Sequence, residues 1–344
     1  MSKIVTFGIP CYNSAQYMDK CIESILEGVD YASDVEIIIV DDGSTKDETP
    51  QKADEWAERY PEIIRAHHQE NGGHGTAVLS GLKKATGTFY KVVDSDDWVD
   101  SEALAQLLDR MRSTEAAGDN VDLFIANYVY EHTVDNTRNV VGYRRILPEG
   151  RVFGWSEIGH FPITQNLLMH ALCYRTSVLR DMDFYLPPHT FYVDNIYAWV
   201  PLPNCKRLCY LDIDLYRYYI GREDQSVNEK VMAGRIDQQV KVTRIMMESY
   251  HLYQDVQPVQ LRSYMINYFV IMMAICSVFS RLSDHEDAMD ELARLWSDLH
   301  AYDRRLWRRC RLGFLGAITN LPGPLGNRAT IGLYRLADKL VKFN

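Results

Sequence analysis

Apolar positions recur along the first hundred residues in two alternating rhythms. Ile4 to Ile9 is a short continuous run that predicts a buried strand, broken at Pro10. From Ala15 to Leu26 the period lengthens to that of a helix. Tyr17, Met18, Cys21, Ile22, Ile25 and Leu26 share one face, and Asn13 or Ser14 is in position to cap it. Val35 to Val40, apolar apart from Glu36, reads as a strand covered on both faces of a parallel sheet. A polar helix over about Asp47 to Tyr60 follows, then a strand near Ile63 to His68, a helix from about Thr76 to Ala85 and a strand from Phe89 to Val93.

Three such alternations predict a doubly wound α/β sheet with right-handed crossovers. Ligands of these sheets bind outside the carboxyl ends of the strands. Three strands end there in polar tips: Pro10-Cys11-Tyr12-Asn13, Asp41-Asp42-Gly43-Ser44 and Asp94-Ser95-Asp96-Asp97. Further on, Ser101 to Arg112 fits a helix and Val121 to Tyr130 a strand. Residues 131 to 225 are aromatic and turn-rich without a clear period. Helical rhythm returns near Val231 to His251, Val259 to Phe279 and Glu286 to Leu299. The pattern divides the chain into a catalytic domain over 1–227 and a helical region over 228–344 that contacts an acceptor, a second subunit or a membrane.

Composition changes this picture in three places. A chain of 344 residues with 47% apolar content can bury a full core. A net charge of −10 argues against a nucleic-acid binder, which needs a concentrated basic surface. Seven cysteines, odd in number and scattered, read as reduced buried thiols of a cytoplasmic protein. The start Met1-Ser2-Lys3-Ile4 runs directly into strand-like sequence, with no room for a signal peptide, so the catalytic part is expected in the cytoplasm.

The acidic tip carries the first candidate chemistry. Three carboxylates within four residues repel, and burying them at a strand end costs free energy unless a cation compensates. Mg²⁺ or Mn²⁺ would do so, with carboxylate and phosphate oxygens as ligands. An acidic turn capping the helix at Ser101 is the plainer reading of the same residues; their position after a buried strand favours the metal. At the neighbouring tip Asp41 can accept from a nucleobase or ribose, Gly43 permits a tight turn and Ser44 can cap the next helix.

Taken as a set, Ile9-Pro10-Cys11-Tyr12-Asn13, Val40-Asp41-Asp42-Gly43-Ser44, Asn71-Gly72-Gly73, Gly87 and Val93-Asp94-Ser95-Asp96-Asp97-Trp98 resemble the family 2 glycosyltransferases of the GT-A fold. The resemblance is close over Lys3 to Val99 and looser to about Asn228. It implies a Rossmann-like, doubly wound mixed sheet with a C-terminal helical extension. It also implies an inverting transfer of sugar from a nucleotide-diphosphate sugar, usually a UDP-sugar, to a hydroxyl of a glycan, glycolipid or polyol-phosphate acceptor in cell-surface polysaccharide synthesis.

Carried over residue by residue, Pro10 and Tyr12 line the base, Asp41 is the base-binding carboxylate and Asn71 touches the nucleotide. Asp94, with Ser95 beside it, faces ribose or sugar, Asp96 holds Mn²⁺ or Mg²⁺, and Asp97 assists from behind. Relatives often carry Arg or Lys after the Asn-Gly segment; here His74 stands in that stretch, where it can donate to phosphate at a helix N-terminus. The family's general base matches Asp194 in Thr190-Phe191-Tyr192-Val193-Asp194-Asn195, although Val193 replaces the usual preceding acid; by pattern alone Asp194 is a helix N-cap. Arg222, Gln225 and Ser226 are candidates for closing over the donor. A sugar nucleotidyltransferase is a rival, but its basic glycine-rich loop after the first strand is missing. A non-catalytic nucleotide-binding scaffold is a second.

Near the end, Arg304, Arg305, Arg308, Arg309 and Arg311 reverse the overall charge, with Arg335, Lys339 and Lys342 beyond them. Attraction to anionic lipid, which would hold the protein at the inner face of the cell membrane, and a solvated face packing on the catalytic domain or on a twin subunit both fit. Tyr264 to Phe279 is too short to cross a bilayer comfortably and reads first as a buried helix.

Overall fold

The computed structural model describes residues 3–29, 34–132, 137–163, 165–220 and 229–341, with side chains through 336. It divides into two compact units, Met1–Gly159 with Leu167–Ile220, and His160–Asn166 with Gly221–Asn344.

Among the described residues the first unit is built on one mixed sheet of ten strands: β1 Val5–Cys11, β2 Val35–Asp41, β3 Ile64–His68, β4 Phe89–Val92, β5 Trp98–Val99, β6 Leu123–His132, β7 Thr137–Val141, β8 Val152–Phe153, β9 Leu172–Arg175 and β10 Leu208–Ile220. Their order is β3-β2-β1-β4-β9-β6-β10-β5, with β7 on β6 and β8 on β10. The β3-β2-β1-β4 half is parallel, whereas β9 runs antiparallel to both β4 and β6. Strand order reverses beside β1, which opens a crevice beyond the carboxyl ends of β1, β2 and β4.

Burial explains why these segments are strands. Every residue of β1 and of β2 is buried, as the unbroken apolar runs require. Glu36, the one charge inside β2, accepts from Thr6 Oγ1 at 2.6 Å and from Thr86 N at 2.8 Å, and pairs with Arg65. The strand does not break at Pro10; it runs through to Cys11, with Pro10 paired to Val40. On its other side the ladder to β4 ends at Gly8 and Val92, so the missing N–H of Pro10 falls where no partner strand asks for it.

The helices of this unit are α1 Met18–Glu27, α2 Thr49–Arg59, α3 His74–Lys84, α4 Ser101–Ala116, α5 Thr176–Asp181 and α6 Asp194–Trp199. Helix α1 begins three residues later than its apolar period suggests, because Ser14 and Ala15 donate their N–H groups to Thr49 and Asp47 instead. Helix α3 begins two residues earlier, since Gly73, at φ +86°, forms its cap. Asp100 caps α4, accepting from Ala103 N at 3.1 Å.

The second unit is helical: α7 Glu229–Gly234, α8 Ile236–Ser249, α9 Leu252–Asp255, α10 Val259–Leu282, α11 Ala288–Tyr302, α12 Arg304–Leu312, α13 Phe314–Thr319 and α14 Gly323–Val341. Its centre is α10, whose 24 residues are long and apolar enough to cross a bilayer. Here α8 and α11 to α14 pack around it instead, and Tyr264, Met265, Phe269, Met272, Met273 and Cys276 are buried.

Candidate active site

The first two tips are knitted together before any ligand arrives. Cys11 and Asp41 are partners in the β1–β2 ladder, so the turns that follow them start side by side. Asn13, at φ +49°, accepts from Thr45 N at 3.1 Å and Lys46 N at 3.0 Å, while its own N–H donates to Ser44 Oγ. Asp41 is buried; its Oδ1 accepts from Ser44 N at 3.0 Å and its Oδ2 lies 3.0 Å from His68 Nδ1. The other ring nitrogen of His68 is 3.0 Å from Asp54, and the imidazole is held above its ordinary pKa by the hydrogen bond to Asp41 first and the one to Asp54 next.

Asp42 organises the loop that precedes α3. Its carboxylate accepts from Gln69 Nε2 at 2.7 Å, Gly72 N at 2.9 Å and Gly73 N at 2.7 Å, and its carbonyl accepts from Asn71 Nδ2 at 2.8 Å. Gly43 is needed for this approach: it has φ +71°, and a β-carbon there would sit 2.7 Å from Asn71 N. Pro10 is buried in β1, Tyr12 is 51% exposed at the mouth of the turn, and Ser95 is buried against the Cys11 thiol. Burial pushes that thiol up to about 12, so Cys11 is no nucleophile.

The acidic tip splits into an inner and an outer part. Asp97 is buried, accepting from Tyr216 Oη at 2.6 Å and Tyr219 N at 2.8 Å; the same hydroxyl accepts from Asp94 N at 3.2 Å. Burial, and then repulsion from Asp96 and Asp94, push the Asp97 carboxyl well above the usual range. Asp94 and Asp96 are half-buried. Asp94 Oδ1 lies 2.7 Å from His74 Nε2; although burial works against its charge, the imidazole holds Asp94 below the usual range.

Behind them stands His170, which carries no local sequence signature. Its ring is buried, 4.6 Å from Tyr216 and 4.7 Å from Tyr218 between centroids, and burial pushes it down to about 4, leaving it neutral. Its Nδ1 is buried without a hydrogen-bond partner among the described residues. Ligand atoms of Asp94, Asp97 and His170 all lie within 4.8 Å of one another, a set of hard oxygens and one imidazole nitrogen that suits a divalent cation. Asp96 stands outside that trio. Lys91, buried under the strand end, donates to His170 O at 2.7 Å, and burial pushes it down to about 8.

Asp194 faces the same space. It is the first residue of α6 and not its cap: Val193 occupies the cap position, and no side chain caps the helix. Burial raises its carboxyl above the ordinary value; His74 opposes that rise and Asp94 adds to it. His74 in turn is lowered by burial but raised overall by Asp94, Asp194 and Asp96, so one imidazole is shared electrostatically by all three acids. The backbone explains their meeting. His189 N donates to Gly72 O at 2.7 Å, and a β-carbon on Gly73 would fall 2.9 Å from His189 N. His189 and Tyr192 are held at φ +47° and +66°, uncommon for side chains with a β-carbon and of a kind that gathers at functional loops.

The structure thus brings Asp94, Asp96 and Asp194 into electrostatic range of His74, and ties Asp41, Asn71 and Ser95 into the adjoining turns. Arg222, Gln225 and Ser226 lie outside the described residues. Sequence reasoning missed Asp42, His68, His170 and Tyr216. Only Asp42 carried a visible signal, as the second acid of a strand-end pair.

Several known proteins are similar to this chain in sequence or fold. The family model described as Glycosyl transferase family 2 matches residues 6–175. EpsH of Bacillus subtilis (strain 168) is 36% identical over 213 residues, covering 58% of this chain and 59% of EpsH. Glycosyltransferase GlyG of Streptococcus pneumoniae serotype 4 is 34% identical over 129 residues, covering 37% of this chain and 40% of GlyG. The chain therefore spans three fifths or less of these relatives' lengths. Among solved structures, S. aureus TarS 1-349 in complex with UDP-GlcNAc superposes with a TM-score of 0.67 at 18% identity, covering 97% of this chain and 92% of that one. The mannosyltransferase PcManGT from Pyrobaculum calidifontis, in complex with GDP-Man and Mn²⁺, gives 0.57 at 16% identity, covering 99% and 87%. Both likenesses show the fold.

Proposed function

Because the chain belongs to glycosyl transferase family 2 through residues 6–175, we propose that it moves a sugar from a nucleotide-diphosphate sugar, a UDP-sugar first, onto a hydroxyl of a glycan, lipid-linked or polyol-phosphate acceptor, with inversion at the sugar C1. One observation carries the reading: Asp94 and Asp194, from distant parts of the chain, both act on the imidazole of His74 at the start of α3. A candidate base and a donor-side carboxylate therefore both lie within electrostatic range of one imidazole, as a single displacement requires.

In this reaction Asp194 accepts the proton of the acceptor hydroxyl as that oxygen attacks C1 from the face opposite the leaving nucleoside diphosphate. Its raised pKa, caused mainly by burial, makes it a stronger base than an exposed aspartate. His74, protonated more readily than a free histidine because of the three acids around it, donates to the departing diphosphate together with backbone N–H groups at the start of α3. Asp41, Tyr12, Pro10 and Asn71 hold the base and ribose. Asp94, Asp97 and His170, whose ligand atoms gather within 4.8 Å of one another, would hold Mn²⁺ or Mg²⁺, joined by Asp96, the ligand that the family resemblance implies. That cation, when bound, supplies positive charge opposite the leaving group.

UDP-GlcNAc in the TarS complex supports a uridine donor, and the polyribitol phosphate acceptor in the name of full-length TarS supports a surface glycopolymer as product. Free, buried cysteines, without a disulfide among the described residues, favour action in the cytoplasm.

The test is a thermal-shift panel of UDP-, GDP- and dTDP-sugars with and without Mn²⁺, run on the wild type and on Asp96→Ala. The reading expects one donor class to raise Tm only when both the metal and Asp96 are present, and that donor to release its nucleoside diphosphate with acceptor. A donor that stabilises the protein yet is never cleaved would make the chain a binding scaffold instead.

A further inference from the structure

The last three helices carry a second surface, independent of the cleft. From Arg304 to Ala337 the sequence contains seven arginines and no acid, in a chain whose net charge is −10. Arg304, Arg305, Arg308, Arg309 and Arg328 are exposed. Among the described residues only Arg335 of this stretch pairs with a carboxylate, that of Glu229.

Helix α14 is amphipathic in an unusual sense. Its inner face is polar and aromatic: Asn327 accepts from Arg281, Thr330 Oγ1 donates to Ile318 O at 3.1 Å, and Tyr334 lies 5.4 Å from Phe279 between ring centroids. Its outer face is the apolar one. Leu325, Ala329, Leu333 and Leu336 follow one another at helical spacing and are all exposed, Leu325 by 80%. At the corner between α12 and α13, Leu312 and Phe314 are 68% and 83% exposed. Large side chains turned outward together mark a surface that meets something else.

We propose that this face of α12 to α14 is a lipid-binding surface that seats the protein on an anionic bilayer. Helix α14 carries its apolar stripe with the exposed Arg328 beside Leu325 and Ala329, and α12 exposes four more arginines; leucines among acyl chains with guanidinium groups at the phosphates is the pattern of a helix lying in the membrane plane. The arginines also choose between occupants. A second copy docked on the same face would bring two unneutralised basic clusters together, whereas anionic headgroups neutralise them. The surface does not depend on the transferase reading, and either can fail without the other.

Flotation of the full chain with phosphatidylcholine vesicles, with and without phosphatidylglycerol, tests this. Binding is expected only to the anionic vesicles and is expected to fall as salt rises. Arg304→Glu with Arg308→Glu should weaken it by about fivefold or more for each residue changed. Phe314→Ser with Leu325→Ser and Leu333→Ser should abolish it while Tm stays unchanged, since all of these side chains are exposed. Failure to float with anionic vesicles, or flotation indifferent to both sets of substitutions, overturns the proposal. A dimer in lipid-free buffer that the serine variant splits would overturn it in favour of a second copy.

Discussion

At the scale of single residues the site turns on His74. The Asp194 carboxyl is raised by burial, and His74 opposes that rise. A general base works only when deprotonated, so rate falls as pH drops through its pKa. The acidic limb of kcat/KM is accordingly expected above the ordinary aspartate value, and His74→Ala should move it further up, because the opposing charge is gone. A limb that stays in place in His74→Ala would show that Asp194 is not the titrating base. Asp194→Asn keeps the shape and removes the proton acceptor; its kcat should fall by roughly 10²–10⁴-fold with donor-induced stabilisation retained. Asp94 stood out in the sequence because it directly follows an apolar run and matched a family pattern, Asp194 because it matched that pattern in part, and His74 because it stands where relatives often carry Arg or Lys. His170 and Tyr216 were not: each is defined by partners tens of residues away, such as the Tyr216 hydroxyl reaching Asp97 across 119 positions.

Among elements, the strands and helices of the first hundred residues could be read to within a few positions, since each is a continuous run or a clean period packed on its sequence neighbours. The errors came at ends decided by side-chain bonds, as at Ser14, or by an open ladder, as at Pro10. The middle of the chain was opaque for a different reason. Strand β10 changes register between Tyr210, Asp214 and Tyr216, which breaks the apolar alternation, and β5 and β8 are two-residue strands that exist only by pairing with it. Gly73 tests how the elements are joined. Its φ of +86° and the closeness of His189 N leave no room for a side chain. Gly73→Ala should cost about 1–3 kcal/mol in chemical denaturation and depress transfer more than donor binding, because it displaces the segment leading to Asp194. An alanine variant as stable and active as wild type would refute that coupling.

For the whole molecule, fold class and charge imbalance were evident from composition and pattern, and the chain adopts the GT-A architecture with a helical C-terminal region. The inside-out helix α14 was hidden, because a period of leucines says which residues share a face and nothing of whether that face turns inward. All seven cysteines are buried. Ellman's reagent should therefore find almost no reactive thiol in the native protein and seven after denaturation; several fast-reacting native thiols would contradict the packing described.

The bond from His189 to Gly72 has an evolutionary corollary. Donor recognition and acceptor activation are commonly imagined as modules to be swapped at will, yet here the loops proposed for these two tasks share a backbone contact tight enough to exclude a methyl group. A chimera that imports the 186–193 segment from a relative would have to import its 69–75 partner as well. New specificities in this lineage should arise by paired exchange of the two.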